Sequence, residues 1–160
     1  MSVIAQSRGG ARQYWPLLVA AIVALGLGLF AFQSMAQGPN ELVVTTSTGK
    51  HRISIEWART MAEREHGLMG RTSMADDHGM LFDFGVEQPV MFWMKDTPLS
   101  LDMVFITDDG TVYRIEKRTT PYSETVIPGG APVRYVLELV GGASDKIGLV
   151  PGDRFKIPRE

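Results

Sequence analysis

The sequence predicts a mainly β, α+β domain: one curved antiparallel sheet or a small barrel, with one or two short helices. Three observations lead there. Between Glu41 and Ile157 the apolar residues fall into seven or more short runs, several of them alternating with period two. Turn residues punctuate those runs, as in Ser47-Thr48-Gly49-Lys50, Asp108-Asp109-Gly110 and Val150-Pro151-Gly152-Asp153. Helical spacing takes over clearly in one stretch alone, Thr60 to Met69.

The chain begins with a segment of another kind. Arg8 and Arg12 precede an unbroken apolar run from Leu17 to Phe32, and Ser34-Met35-Ala36 follows. A positive flank, a short apolar core and small residues at the exit describe a signal peptide over residues 1–36, cut after Ala36. The run is shorter than the roughly 20 residues a spanning helix needs. The alternative is an uncleaved membrane anchor over residues 14–32, with Tyr14 and Trp15 at the interface. Both readings export residues 37–160, to the periplasm or beyond, as a single domain. The sequence contains no cysteine, so no disulfide supports the fold there. Without Arg8 and Arg12, fourteen basic residues face eighteen acidic ones, a net charge of −4. The basic residues are scattered, whereas a phosphate backbone calls for clustered Lys and Arg, so nucleic acid is not expected as a partner.

Taken in order, Glu41–Thr46 is rich in Val and Thr and reads as a strand. His51–Trp57 alternates, with Ile53, Ile55 and Trp57 on one face, and closes a hairpin with it. Thr60 followed by Glu63 forms a capping-box pattern at a helix start. Met61, Arg64 and Leu68 share one stripe of that helix, and Gly67 and Gly70 end it early. Residues 72–78 are a polar loop. Gly79–Phe84 is a strand with Met80, Phe82 and Phe84 inward. Gln88–Val104 then reads as a core hairpin, with Trp93 and Met94 in one strand, Lys95-Asp96-Thr97-Pro98 at the turn and Asp102 in the return strand. Asp108-Asp109-Gly110 turns into a strand over Thr111–Arg118. Residues 119–132 form a long surface loop of the kind that often carries function. Val133–Val140 is a clear strand, Gly141-Gly142 opens a short turn or helix through Ile147, and Arg154–Ile157 is a closing strand.

Several charges stand in apolar company. Asp102 alternates with Val104 and Ile106, Glu138 with Val136 and Val140, and Arg64 lies on the apolar helical stripe. Charges so placed are rarely buried without a partner. One reading is a structural salt bridge, Arg64 with Asp102 or Glu138. The other is a pocket where Arg64 and Arg71 hold a ligand and Asp102 orients it. Trp93 reads as a core indole or as a stacking platform, and the apolar residues around it favour the core. His66-x-x-Met69, His78-x-Met80 and Met91-x-x-Met94 offer soft-metal ligands, yet Met also fills cores. No nucleophile motif or phosphate loop is present, and no cofactor or resident metal is expected.

Four pieces resemble a known family when taken in order. They are Glu63-Arg64-Glu65-His66-Gly67-Leu68-Met69-Gly70-Arg71, Gly79-Met80-Leu81-Phe82, Trp93-Met94-Lys95-Asp96-Thr97-Pro98-Leu99-Ser100-Leu101-Asp102, and Tyr135-Val136-Leu137-Glu138-Leu139 before Gly141-Gly142. Together they resemble domain-of-unknown-function family 192, a widespread group of small, often exported bacterial and archaeal proteins. The resemblance implies a compact β-rich domain and brings no catalytic residues. Asp96 stands where that family usually shows Asn, and Ser100 where Pro is common.

The sequence therefore supports an exported, non-catalytic binding or accessory domain. Its partner would be a small molecule or an envelope component, and membrane contact would come only through the N-terminal segment. The candidate ligand site comprises Arg64, Arg71, Trp93, Lys95, Asp96, Thr97, Asp102 and Glu138. Two alternatives compete: a hydrolase of envelope carbohydrate using Asp102 with Glu138 or Asp96, and a Met/His copper protein.

Overall fold

Strand-forming sequence dominates the described chain, and the strands close on themselves. The computed structural model describes residues 40–158; the expected signal peptide or anchor lies outside the described residues. The strands are β1 (Glu41–Thr46), β2 (Gly49–Ala58), β3 (His78–Gln88), β4 (Met91–Phe92), β5 (Leu101–Ile106), β6 (Val112–Glu116), β7 (Ile127–Pro128), β8 (Val133–Val140) and β9 (Phe155–Lys156). The helices are α1 (Met61–His66) and α2 (Ala143–Lys146). Seven strands form one sheet in the order β6-β5-β8-β3-β2-β1-β9, curled into a half-barrel. All its pairs are antiparallel except β2 and β3, which run parallel because α1 carries the chain back between them.

The two ends of this sheet meet. Thr111 and Arg154 form an antiparallel bridge. Val112 N–H donates to Asp153 O, Gly152 N–H to Val112 O, and Phe155 N–H to Gly110 O, at 2.8–2.9 Å. The two-residue strand β9 thus links β1 on one side to the start of β6 on the other.

Curling leaves β5, β8 and the first half of β3 buried on both faces, which is why Leu101–Ile106 carries six buried residues in a row. The inner core gathers Leu42, Ile53, Ile55, Leu81, Val104, Leu137, Leu139 and Phe155 from all round the sheet. A second core lies on the outer face and contains Met80, Phe82, Met94, Met103, Phe105, Val133 and Val136. It is covered by α1 and its following turn, and by a strap of chain, residues 88–100.

The strap corrects the expected core hairpin. Only Met91 and Phe92 are extended, and they pair with β7 in a separate two-stranded sheet, not with β5. Beyond them the backbone turns at Asp96, with φ +52°, and weaves between neighbours. Met94 N–H donates to Ser123 O, Gly70 N–H to Asp96 O, and Tyr122 N–H to Thr97 O. The reason is steric and local: a left-handed residue two before a proline turns the chain out of a ladder, so the strap lies across the sheet instead of joining it.

Candidate functional site

α1 forms one wall of a cleft because its start and stop are both encoded locally. Thr60 Oγ1 accepts from Glu63 N–H at 3.2 Å, and Glu63 Oε2 accepts from Thr60 N–H at 2.8 Å, the reciprocal capping box. Gly67 ends the helix with φ +49°, and a Cβ there would sit 3.3 Å from the Phe82 ring, so glycine serves both the turn and the close approach. The helix and its turn face the strap across a cleft of about 630 Å³. Phe82 and Phe84 of β3 lie between them, and Phe92 stands edge-on to both, with ring centroids 5.2 and 6.3 Å away.

Glu138 reaches this cleft from β8, through the outer face of the sheet. Its cross-strand neighbours are Met80 on β3 and Met103 on β5. The side chain is 4% exposed and makes no hydrogen bond or ion pair among the described residues. Burial alone pushes its carboxyl up to about 8, so at neutral pH it is a carboxylic acid that donates as well as accepts.

Of the residues singled out in the sequence, Arg64, Trp93, Lys95, Thr97 and Glu138 line the cleft. Arg64 donates to the Arg59 carbonyl and, at 3.0 Å, to the Asp83 carbonyl, and lies 5.3 Å over the Phe84 ring. Lys95 Nζ lies 5.3 Å from the Trp93 ring centre. Trp93 is 48% exposed, which corrects its reading as a core residue; Met94 takes the buried place at 1%. Thr97 is buried and its hydroxyl donates to Lys95 O at 3.0 Å, bracing the strap.

Arg71, Asp96 and Asp102 are placed elsewhere. Arg71 grips Glu56 with two bonds of 2.6 and 2.8 Å, and His78 meets the same carboxylate at 2.7 Å; Arg71 holds the Glu56 carboxyl below its usual range. Asp96 is exposed and does not line the cleft. Its left-handed backbone is one that Asp and Asn enter most readily among residues with a side chain, so either fits there on conformational grounds. Asp102 is fully buried on the inner face. Its Oδ1 accepts from Arg118 N–H at 2.8 Å, and its Oδ2 from Gly142 N–H and Ser144 N–H at 3.0 Å and Ser144 Oγ–H at 2.6 Å. This carboxylate ties α2 into the end of the half-barrel. Neither Arg64–Asp102 nor Arg64–Glu138 forms an ion pair, because Arg64 is satisfied by carbonyls on the outer face.

Sequence reasoning missed Phe84, Phe92, Gln88 and Met91 as cleft residues. The available signal was the series Met80, Phe82, Phe84, which carries large side chains one step past the point where β8 stops pairing regularly, at Asp83. Met61, His66 and Met69 also reach the cleft. Among the described residues no group of three His, Asp or Glu is arranged to hold a metal ion.

A model of the DUF192 family, described as "Uncharacterized ACR", matches residues 43–157. No curated protein matches the sequence. Among solved structures, a protein of Sinorhizobium meliloti 1021, provisionally named a transcription regulator, is 48% identical, with a TM-score of 0.70. That match covers 72% of this chain and 91% of the other. A protein of unknown function from Novosphingobium aromaticivorans DSM 12444 is 38% identical, with a TM-score of 0.71, over 73% of this chain and 84% of the other.

Proposed function

The chain belongs to the DUF192 family, which brings no assigned activity, and we propose that its domain is a non-catalytic module binding a small organic ligand in the cleft beside α1. The observation that carries this reading is Glu138. A buried polar group without a partner costs stability. One that faces an open cleft walled by Phe82, Phe84 and Phe92 recovers that cost when a ligand supplies the missing hydrogen bond. Export of the domain is part of the same proposal and rests on Arg8, Arg12, the run Leu17–Phe32 and Ser34-Met35-Ala36.

The hydrolase reading loses its residue pairs in this arrangement. Asp102 is saturated by four hydrogen bonds on the inner face, Glu138 stands on the outer face, and Asp96 lies outside the cleft. A thermal-melt screen of small organic molecules tests the binding reading. A cleft ligand should raise the melting temperature of the protein, and Trp93→Ala should remove the shift. A screen in which every shift survives in Trp93→Ala would exclude this cleft.

The copper reading keeps one observation in its favour. Met61 and Met91, 70% and 75% exposed, share the cleft with His66 and Met69, and thioethers select Cu(I). Cu(I) titration under reducing conditions, compared with Met91→Leu, decides it: affinity unchanged in the variant removes this reading.

A further inference from the structure

The charges around the cleft indicate what kind of ligand fits it. Six arginines of the described residues, at 52, 71, 114, 118, 134 and 154, are paired with carboxylates, as are Lys117 and Lys146. Arg64, Lys95, Lys50 and Lys156 are not among those pairs, and of these four Arg64 and Lys95 line the cleft. The two bonds of Arg64 go to carbonyl oxygens, which fix the guanidinium but leave its charge uncompensated. Among the described residues the Lys95 ammonium has only the face of Trp93.

The acidic groups lining the cleft are Glu65, exposed on α1, and Glu138 on the floor. Met80 and Met103 flank Glu138 on the neighbouring strands, Arg64, Glu65 and His66 face the cleft from α1, and Lys95 faces it from the strap. Burial keeps Glu138 protonated at neutral pH, so the floor presents a donor where an ionised carboxylate would repel. The faces of Phe84 and Trp93 do not invite a cationic ligand, because Arg64 already covers the one and Lys95 the other.

We propose that the cleft binds a small organic anion: a carboxylate, sulfonate or phosphate ester on a flat apolar body. The anionic group sits between Lys95 and Arg64, and the body lies against Phe84, Phe92 and Trp93. An anion draws the Lys95 ammonium off the indole and frees that ring face for stacking. The assignment rests on the cleft being the ligand site.

Two fluorescent probes with one aromatic body test it, anilinonaphthalene sulfonate and the uncharged N-phenylnaphthylamine, titrated into the folded protein. The sulfonate should bind about 10-fold tighter or more, and added salt should weaken it selectively. Lys95→Met, at an exposed position, should lower sulfonate affinity about 10-fold without lowering that of the neutral probe. Thermal melts of each variant confirm the fold. If both probes bind alike and Trp93→Ala weakens both, the cleft stands and the anion assignment falls. If Trp93→Ala weakens neither, or neither binds, the cleft reading falls with it.

Discussion

Asp102 and Glu138 stand on neighbouring strands one residue out of step, and therefore face opposite sides of one sheet. Asp102 is level with Leu139, and Glu138 with Met103. The pleat sends one carboxylate inward to four donors and the other outward to none. Two acids that look alike in sequence thus divide into an anchor and a cleft-floor acid.

The anchor makes the first prediction. Asp102→Ala leaves three backbone N–H groups and the Ser144 hydroxyl without their acceptor, and should destabilise the protein by about 3 kcal/mol or more. Ser144→Ala removes one charge-assisted bond and should cost about 1.5–3 kcal/mol. Urea unfolding measures both. A loss below about 1 kcal/mol for Asp102→Ala would show that α2 is held by packing alone.

The cleft-floor acid makes the second. Burial holds the Glu138 carboxyl at about 8, against 4.5 when free. Between those values the unfolded chain has released the proton and the folded chain keeps it. Stability from this group is therefore complete below the free value and is lost as pH rises to about 8, at up to about 1.4 kcal/mol per unit. Glu138→Gln cannot titrate, so wild type should lose stability relative to the variant across that window. Denaturant melts over the range read the difference, and parallel curves would mean that Glu138 is ionised in the fold.

The third separates neighbours in the strap. Met94→Ala empties a buried place in the outer core and should cost about 2–5 kcal/mol. Trp93→Ala, at a half-exposed ring, should cost less than about 1 kcal/mol and act on ligand affinity instead. Equal destabilisation by the two would return Trp93 to the core.

The fourth concerns residues outside the described ones. Mass spectrometry of the protein recovered from outside the cytoplasm should find an N-terminus at Gln37. A full-length, membrane-bound product would favour the anchor over residues 14–32.

Sequence pattern revealed the sheet better than the cleft. Val133–Val140 stands where alternation and flanking turns put it, and the capping box at Thr60 is realised atom for atom. Both are local signals. The strap defeated the same reasoning because Phe92, Trp93 and Met94 are apolar whether they join a ladder or lie across one, and the register partner of Met91 is Pro128, far along the chain. Asp102, an acid inside an apolar strand, calls for a partner, and the sequence offers Arg64 or a ligand. Its partners are instead mostly backbone N–H groups of residues 118, 142 and 144, and backbone donors leave no mark in a sequence. Glu138 carried its signal plainly, an acid inside an apolar strand, but only the position of the strap turns that burial into a cleft floor.

Closure of the half-barrel through β9 also bears on solubility. Two residues, Phe155 and Lys156, stand between the outer edge of β1 and the start of β6. Cutting the chain before Asp153 would bare unpaired backbone on both edges and expose the inner core where Phe155 sits. Such a product should not simply unfold. Its two open edges can pair with those of another copy, so it should polymerise edge to edge, and a variant of β9 too weak to stay docked should turn cloudy before it melts.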